Sequence, residues 1–206
     1  HAVVPSRRDR LAADFPDARP VGSVEELLAD PAVEVVVVAS PNPTHAPYAR
    51  AALRAGRHVV VDKPFTPTLA EADALVALAE AGGRLLSVFH NRRWDDGFLT
   101  VRRLLEAGAL GRLAHYEAHF DRFRPAIKQG WREEEGRGSG LFYDLGPHLI
   151  DQALVLFGMP RAVTADILRQ RPAARVDDYF HLVLDYGGLR AVLHAVRRVR
   201  DDDVER

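Results

Sequence analysis

Two textures of apolar and polar positions succeed one another along this chain. Up to about residue 90, short β-branched runs alternate with stretches of helical spacing. Val33–Ala39 (VEVVVVA) and the run Val59, Val60, Val61 read as strands buried on both faces, and Leu85–Phe89 as the next strand. Between them, Ser23 with Glu26 predicts a capping box ahead of Leu27 and Leu28. Thr44 predicts the cap of a helix ending at Gly56, and Thr68 that of Leu69–Ala81, stopped by Gly82 and Gly83. Ala2, Val3 and Val4 read as an opening strand, followed by a short helical stretch through Leu11. This βαβαβ rhythm predicts an α/β, doubly wound parallel sheet.

Beyond about residue 110 the period changes. Leu113–Phe123 alternates like a strand with one covered face. A polar loop, Pro125–Gly140, leads to a predicted helix over Leu145–Phe157, with Pro147 in its first turn and Gly158 and Pro160 ending it. Ala162–Gln170, Tyr179–Tyr186 and Leu189–Val199 read as strands, the last two joined as a hairpin at Gly187 and Gly188. An α+β domain with a mostly antiparallel sheet is expected here, reached through a connecting helix over Asn91–Gly108. The expected division is 1–90 and 91–206.

Composition narrows the function classes. Lys plus Arg is 28 against 29 for Asp plus Glu, a net of −1, so no electrostatic footprint for nucleic acid or an anionic membrane stands out. No apolar run approaches the ~20 residues of a membrane span. With no cysteine, disulfides, thiolate nucleophiles and Cys-based zinc sites are excluded. A cytoplasmic enzyme or binding protein for a small molecule fits.

The candidate chemistry lies in both halves. Asp62, Lys63 and Pro64 follow one buried strand, and Pro41, Asn42, Pro43, Thr44 and His45 follow its neighbour, which puts both at the carboxyl edge where open α/β sheets hold ligands. Asn42 is read equally as a turn residue and as a hydrogen-bonding partner of a ribose or carboxamide, and His45 more readily as a packed histidine than as a ligand. In the second half, Asp144, His148 and Asp151 fall at helical spacing. A carboxylate near an imidazole orients the ring and favours its protonated form, which equips it as a proton shuttle. No metal is expected at this spacing. The catalytic reading needs Lys63 and His148 to serve one pocket.

Ser40-Pro41-Asn42-x-x-His45, then Asp62-Lys63-Pro64, then Asp144-x-Gly146-x-His148-x-x-Asp151 together resemble the Gfo/Idh/MocA family of NAD(P)-dependent oxidoreductases. Asp62–Phe65 (DKPF), Val88–Asp95 (VFHNRRWD) and Tyr143–Gln152 (YDLGPHLIDQ) are similar to a bacterial sugar and inositol dehydrogenase branch. The resemblance implies a Rossmann-type domain followed by an α+β domain. It also implies hydride transfer between NAD or NADP and a carbinol carbon of a sugar or cyclitol. By the same resemblance Lys63 lies near the nicotinamide ribose and the substrate hydroxyl, with Asp62 beside it. His148 is the general base in oxidation, and Asp144 orders substrate or imidazole. Pro41, Asn42 and His45 flank the cofactor, Trp131 and Arg132 reach over it, and Asn91 faces substrate. Homo-oligomerisation through the second sheet is also implied, with Leu182, Leu184, Val192 and His194 facing a partner.

Two departures from the family pattern stand out. No Gly-x-Gly-x-x-Gly loop occurs, and Ala2–Val4 aligns with the family's second strand, so the Rossmann sheet is expected to be incomplete and cofactor binding weak or absent. After Ala195 the chain turns into a charged run, expected as a solvated tail. Ser6 and Arg7 could receive a 2′-phosphate, although a surface arginine explains Arg7 equally well. The alternatives are a non-catalytic fragment or oligomerisation module of the same family, and a glycosidase-like member that uses bound NAD for elimination.

Overall fold

Parallel pairing organises the first part of the chain. The computed structural model describes residues 2–3 and 14–197. It divides the chain into two compact units, His1–Phe89 and His90–Arg206. Ser6 and Arg7 lie outside the described residues, as does the expected helical stretch through Leu11.

In the first unit, β1 (Ala2–Val3) pairs in parallel with β2 (Arg19–Pro20). A separate three-stranded parallel sheet has the order β3 (Val35–Val38), β4 (His58–Asp62), β5 (Leu86–Phe89). Helices α1 (Val24–Ala29), α2 (His45–Arg54) and α3 (Leu69–Ala81) alternate with these strands. The Ser23 cap forms as the sequence predicts, its Oγ accepting from the Glu26 amide at 3.2 Å. The Glu26 carboxylate reaches back one residue further than a capping box requires, accepting from the Gly22 amide at 2.6 Å.

The valine runs differ from expectation in one respect. Val36 and Val38 are 8% and 4% exposed, whereas Val35 and Val37 are 51% and 67% exposed. Strand β3 is therefore buried on one face only. Helix α2 packs against β3 and β4, and α3 packs on α2, so the apolar core of Val36, Val38, Val59, Val61, Ala49, Leu53 and Leu75 gathers under that pair. A run of valines satisfies a one-sided and a two-sided strand alike, which is why spacing alone could not separate them.

The second unit opens with a single turn of 3-10 helix, Asn91–Trp94, then α4 (Asp96–Glu106). The predicted connecting helix is thus broken at Asp95, whose φ of −63° and ψ of 133° are extended. A four-stranded sheet follows in the order β6 (His115–Asp121), β9 (Arg190–Val196), β8 (Tyr179–Asp185), β7 (Ala162–Leu168). The β8–β9 hairpin forms as read, but β6 runs parallel to β9. Leu182 and Leu184 are each 3% exposed and pack in the core beneath α5 (Gly140–Phe157), so they cannot face a partner; in the alternation of β9, Val192 and His194 take the opposite face. Arg197, expected in a solvated tail, is buried.

Helix α5 begins five residues before the predicted start, which leaves Pro147 in its interior. The reason is a cap from a distant loop. Asp177 accepts the first free amides of the helix, from Leu141 to its backbone oxygen at 2.9 Å and from Phe142 to Oδ2 at 2.6 Å. Burial pushes the Asp177 carboxyl above its ordinary range, opposed by these amide donors. The approach requires glycine at position 140, where φ is +93° and a Cβ would stand 2.0 Å from Asp177 Oδ1. Gly140→Ala is expected to lower the unfolding free energy by about 3 kcal/mol, read as a reduced urea midpoint.

Candidate functional site

Because β3 and β4 run parallel, the turns that leave them lie at one edge of the first sheet. From β3 the chain enters a 3-10 turn, Asn42–Thr44, with Pro41 exposed before it and Asn42 buried. From β4 it enters Asp62, Lys63 and Pro64, where Asp62 Oδ1 accepts from the Lys63 amide at 2.8 Å and the Lys63–Pro64 peptide is cis. His45 joins the two turns. It is 1% exposed, with Nδ1 2.8 Å from the Pro64 carbonyl oxygen and Nε2 2.8 Å from that of Ser40. His45 therefore fixes the backbone of both turns and presents no ring nitrogen outward. The donors and acceptors gathered here (Asn42, Asp62 and Lys63) fit the ribose and amide end of a dinucleotide.

The second unit assembles its polar groups around α5. His148 is 5% exposed, its ring edge-on to Phe120 at 6.4 Å and 88°. Asp144 lies one helical turn earlier on the same face. Its carboxylate is held by Arg197 at 3.3 Å and by Arg132 at 3.5 Å. Asp151, one turn after His148, forms a bidentate pair with Arg93, at 2.7 and 2.6 Å. Arg93 belongs to the 3-10 turn that begins at Asn91, and Gln152 Nε2 donates to the Arg92 carbonyl at 2.9 Å. Those bonds dock the turn carrying exposed Asn91 onto the helix that carries His148.

Trp131 and Arg132 stack on each other, with the guanidinium 4.5 Å from the ring centroid. They are anchored at the start of α5, where Ser139 Oγ donates to the Trp131 carbonyl at 3.0 Å and the Gly140 amide to that of Arg132 at 3.1 Å. A cleft of about 280 Å³ opens here, lined by Arg124, Lys128, Trp131, Arg132, Asp144 and Arg197 among others. Four cations against the carboxylates of Asp144 and Glu133 give it a positive wall.

Beneath the cleft runs a buried ion network that the sequence reading missed. Glu133 accepts from Arg171 and from Arg197, both at 2.7 Å, and Arg171 Nε donates to Asp178 at 2.7 Å. Arg171 also donates to the carbonyls of Arg124 and Ala126, at 3.3 and 3.2 Å. Through Arg197 the chain of charges ends on Asp144, so the loop and the helix are held as one piece. No local pattern marks Glu133, Arg171 or Arg197, because their partners stand 38 and 64 residues apart in sequence.

His90 sits near the Arg93–Asp151 pair, with Nδ1 3.7 Å from Asp151. Burial pushes its imidazole below its ordinary value, against a smaller upward pull from Asp151. The neutral ring's contribution to stability is complete above the unfolded-chain value of about 6.5 and is lost as pH falls through the lowered folded value. His90→Gln should therefore flatten the acid side of a melting-temperature profile while leaving its neutral limb in place.

Comparison with known proteins agrees with this architecture. A family model described as "Oxidoreductase family, NAD-binding Rossmann fold" matches residues 3–90, and one described as the GFO/IDH/MocA C-terminal domain matches residues 98–205. The chain is 52% identical over 194 residues to the uncharacterized oxidoreductase YdgJ of Escherichia coli K12, covering 94% of this chain and 56% of that protein. It is 47% identical to the scyllo-inositol 2-dehydrogenase (NADP(+)) IolW of Bacillus subtilis, covering 93% and 54%. A solved oxidoreductase structure, yvaA from Bacillus subtilis, superposes with a TM-score of 0.93 at 46% identity, over 97% of this chain and 57% of that one. The chain thus spans about half the length of the curated relatives it matches. Among the described residues no helix is long and apolar enough to cross a membrane. With both family models matched in chain order and two parallel-strand turns carrying their polar residues at one edge, the chain belongs to the Gfo/Idh/MocA family of oxidoreductases.

Proposed function

We propose that this chain acts in an NAD(P)-dependent oxidoreductase that interconverts a secondary alcohol and a ketone on a cyclitol or sugar. The observation that carries the reading is the pairing on α5. A buried histidine stands one turn from a carboxylate that is already held by two arginines, beside an open cleft. The name of the IolW relative supports a cyclitol with NADP, and a structural neighbour at 28% identity and a TM-score of 0.82, GenD2 from gentamicin A biosynthesis, is a complex with NAD.

When bound, the nicotinamide supplies the hydride acceptor for oxidation and the donor for reduction. His148 takes the hydroxyl proton as the carbonyl forms and returns it in the reverse direction. Asp144, held in place by Arg132 and Arg197, accepts from a second substrate hydroxyl and orients the ring. Lys63 would donate to the reacting oxygen and, with Asn42 and Asp62, would hold the cofactor's ribose and amide end, and His45 sets the turns that carry them. Trp131 and Arg132 cover the cofactor, and Asn91 contributes a substrate contact. A cytoplasmic homo-oligomer belongs to the same proposal.

Titration of the chain with NADPH and NADH for binding, then oxidation of a cyclitol with NADP+ or NAD+ followed by the absorbance of the reduced nicotinamide formed, tests it. Lys63→Met is expected to weaken turnover by roughly a hundredfold, and to do so non-additively with changes at His148. Full additivity would separate the two residues functionally.

A further inference from the structure

The open face of the second sheet carries chemistry that the proposed reaction does not use. Successive outward positions of β6 are His115, Glu117, His119 and Asp121, and the parallel register sets His119 beside His194 of β9. One ligand atom from each of His119, Asp121 and His194 lies within 4.8 Å of the others. The Asp121 carboxylate straddles the pair, with Oδ1 2.8 Å from His194 Nδ1 and Oδ2 3.3 Å from His119 Nδ1.

His194 Nδ1 is shielded from solvent and, despite that short separation, makes no hydrogen bond. His194 Nδ1 stands against Oδ1 as two ligands of one cation do, while His119 Nδ1 hydrogen-bonds Oδ2 at 3.3 Å. Ligands at about 2.0–2.2 Å from a zinc-type ion stand roughly 3–3.5 Å apart, near the 2.8 and 3.3 Å between the carboxylate oxygens and the two ring nitrogens. The other nitrogen of His119, Nε2, faces the Glu117 carboxylate at 3.7 Å, and His115 contacts that carboxylate at 3.0 Å.

We propose that His119, Asp121 and His194 bind a divalent transition-metal ion, with water completing its coordination. Two imidazoles and one carboxylate suit zinc, cobalt or nickel rather than magnesium or calcium. No metal was expected from the sequence, since the ligands come from strands more than seventy residues apart that meet only through the parallel β6–β9 pairing. The ion would brace the edge strand β6 to β9.

The test is titration of the full chain, freed of metal by chelation, with cobalt(II), followed by its ligand-field absorption and by displacement with zinc. One equivalent is expected to bind, and the melting temperature to rise with it. His194→Gln and His119→Gln should each weaken binding at least tenfold and abolish the thermal shift. His58→Gln, in the other unit, should leave both unchanged. His119 is exposed on its strand, so its replacement leaves the fold intact. Absence of saturable one-equivalent binding, or its retention in either β6 or β9 variant, overturns the proposal.

Discussion

His148→Asn is expected to lower kcat/KM for alcohol oxidation by roughly a hundred- to ten-thousand-fold, the range that positioned acid–base catalysis supplies. The change removes the basic imidazole but keeps a polar side chain of smaller volume in the interior of α5. Asparagine fills part of the space of the buried ring, which stands edge-on to Phe120. Cofactor affinity should therefore stay within a few-fold of wild type. Three measurements separate lost chemistry from lost folding: the melting temperature, the cofactor dissociation constant and the pH profile of kcat/KM. With proton transfer removed, the acid limb of that profile should disappear. A loss smaller than threefold would reassign the base.

Glu133→Ala should cost about 3–5 kcal/mol of stability, the range found when one partner of a buried ion pair is removed. Glu133 is 6% exposed, and its two oxygens each accept from a different buried arginine. Truncation leaves Arg171 and Arg197 facing each other without the carboxylate between them. Arg197 is also one of the two cations on Asp144, so the damage reaches the cleft. Glu133→Gln keeps an acceptor for one arginine and should fall between wild type and the alanine variant. Equilibrium urea unfolding reads the series. Replacing Glu133, Arg171 and Arg197 together with apolar residues of similar volume should recover much of the loss, because the cost lies in the unpaired charges.

The elements of the first unit were legible because each signal was local: the Ser23 and Thr68 caps, the glycine stops and the valine runs occupy single turns or strands. The hairpin at Gly187 was legible for the same reason. What escaped the sequence was set by contacts between distant segments. Helix α5 starts at Gly140 because Asp177 caps it, and nothing near Pro147 announces that partner. The pairing of Asp151 with Arg93 spans 58 residues, and no local pattern marks it. Leu182 and His194 were grouped together because alternation identifies a strand's two faces without saying which is covered. His148, Asp144, Trp131 and Arg132 were singled out through motif order and family resemblance, while the Glu133 network that reaches Asp144 through Arg197 has no motif.

The most direct test follows the hydrogen itself. A cyclitol deuterated at its carbinol carbon is incubated with the chain and oxidised cofactor, and the products are analysed by NMR. Hydride transfer places the deuterium on the nicotinamide ring, with one ketone formed for each reduced cofactor. Deuterium retained in the sugar or lost to water, with no net reduced nicotinamide, would contradict it and would favour an elimination cycle on bound NAD.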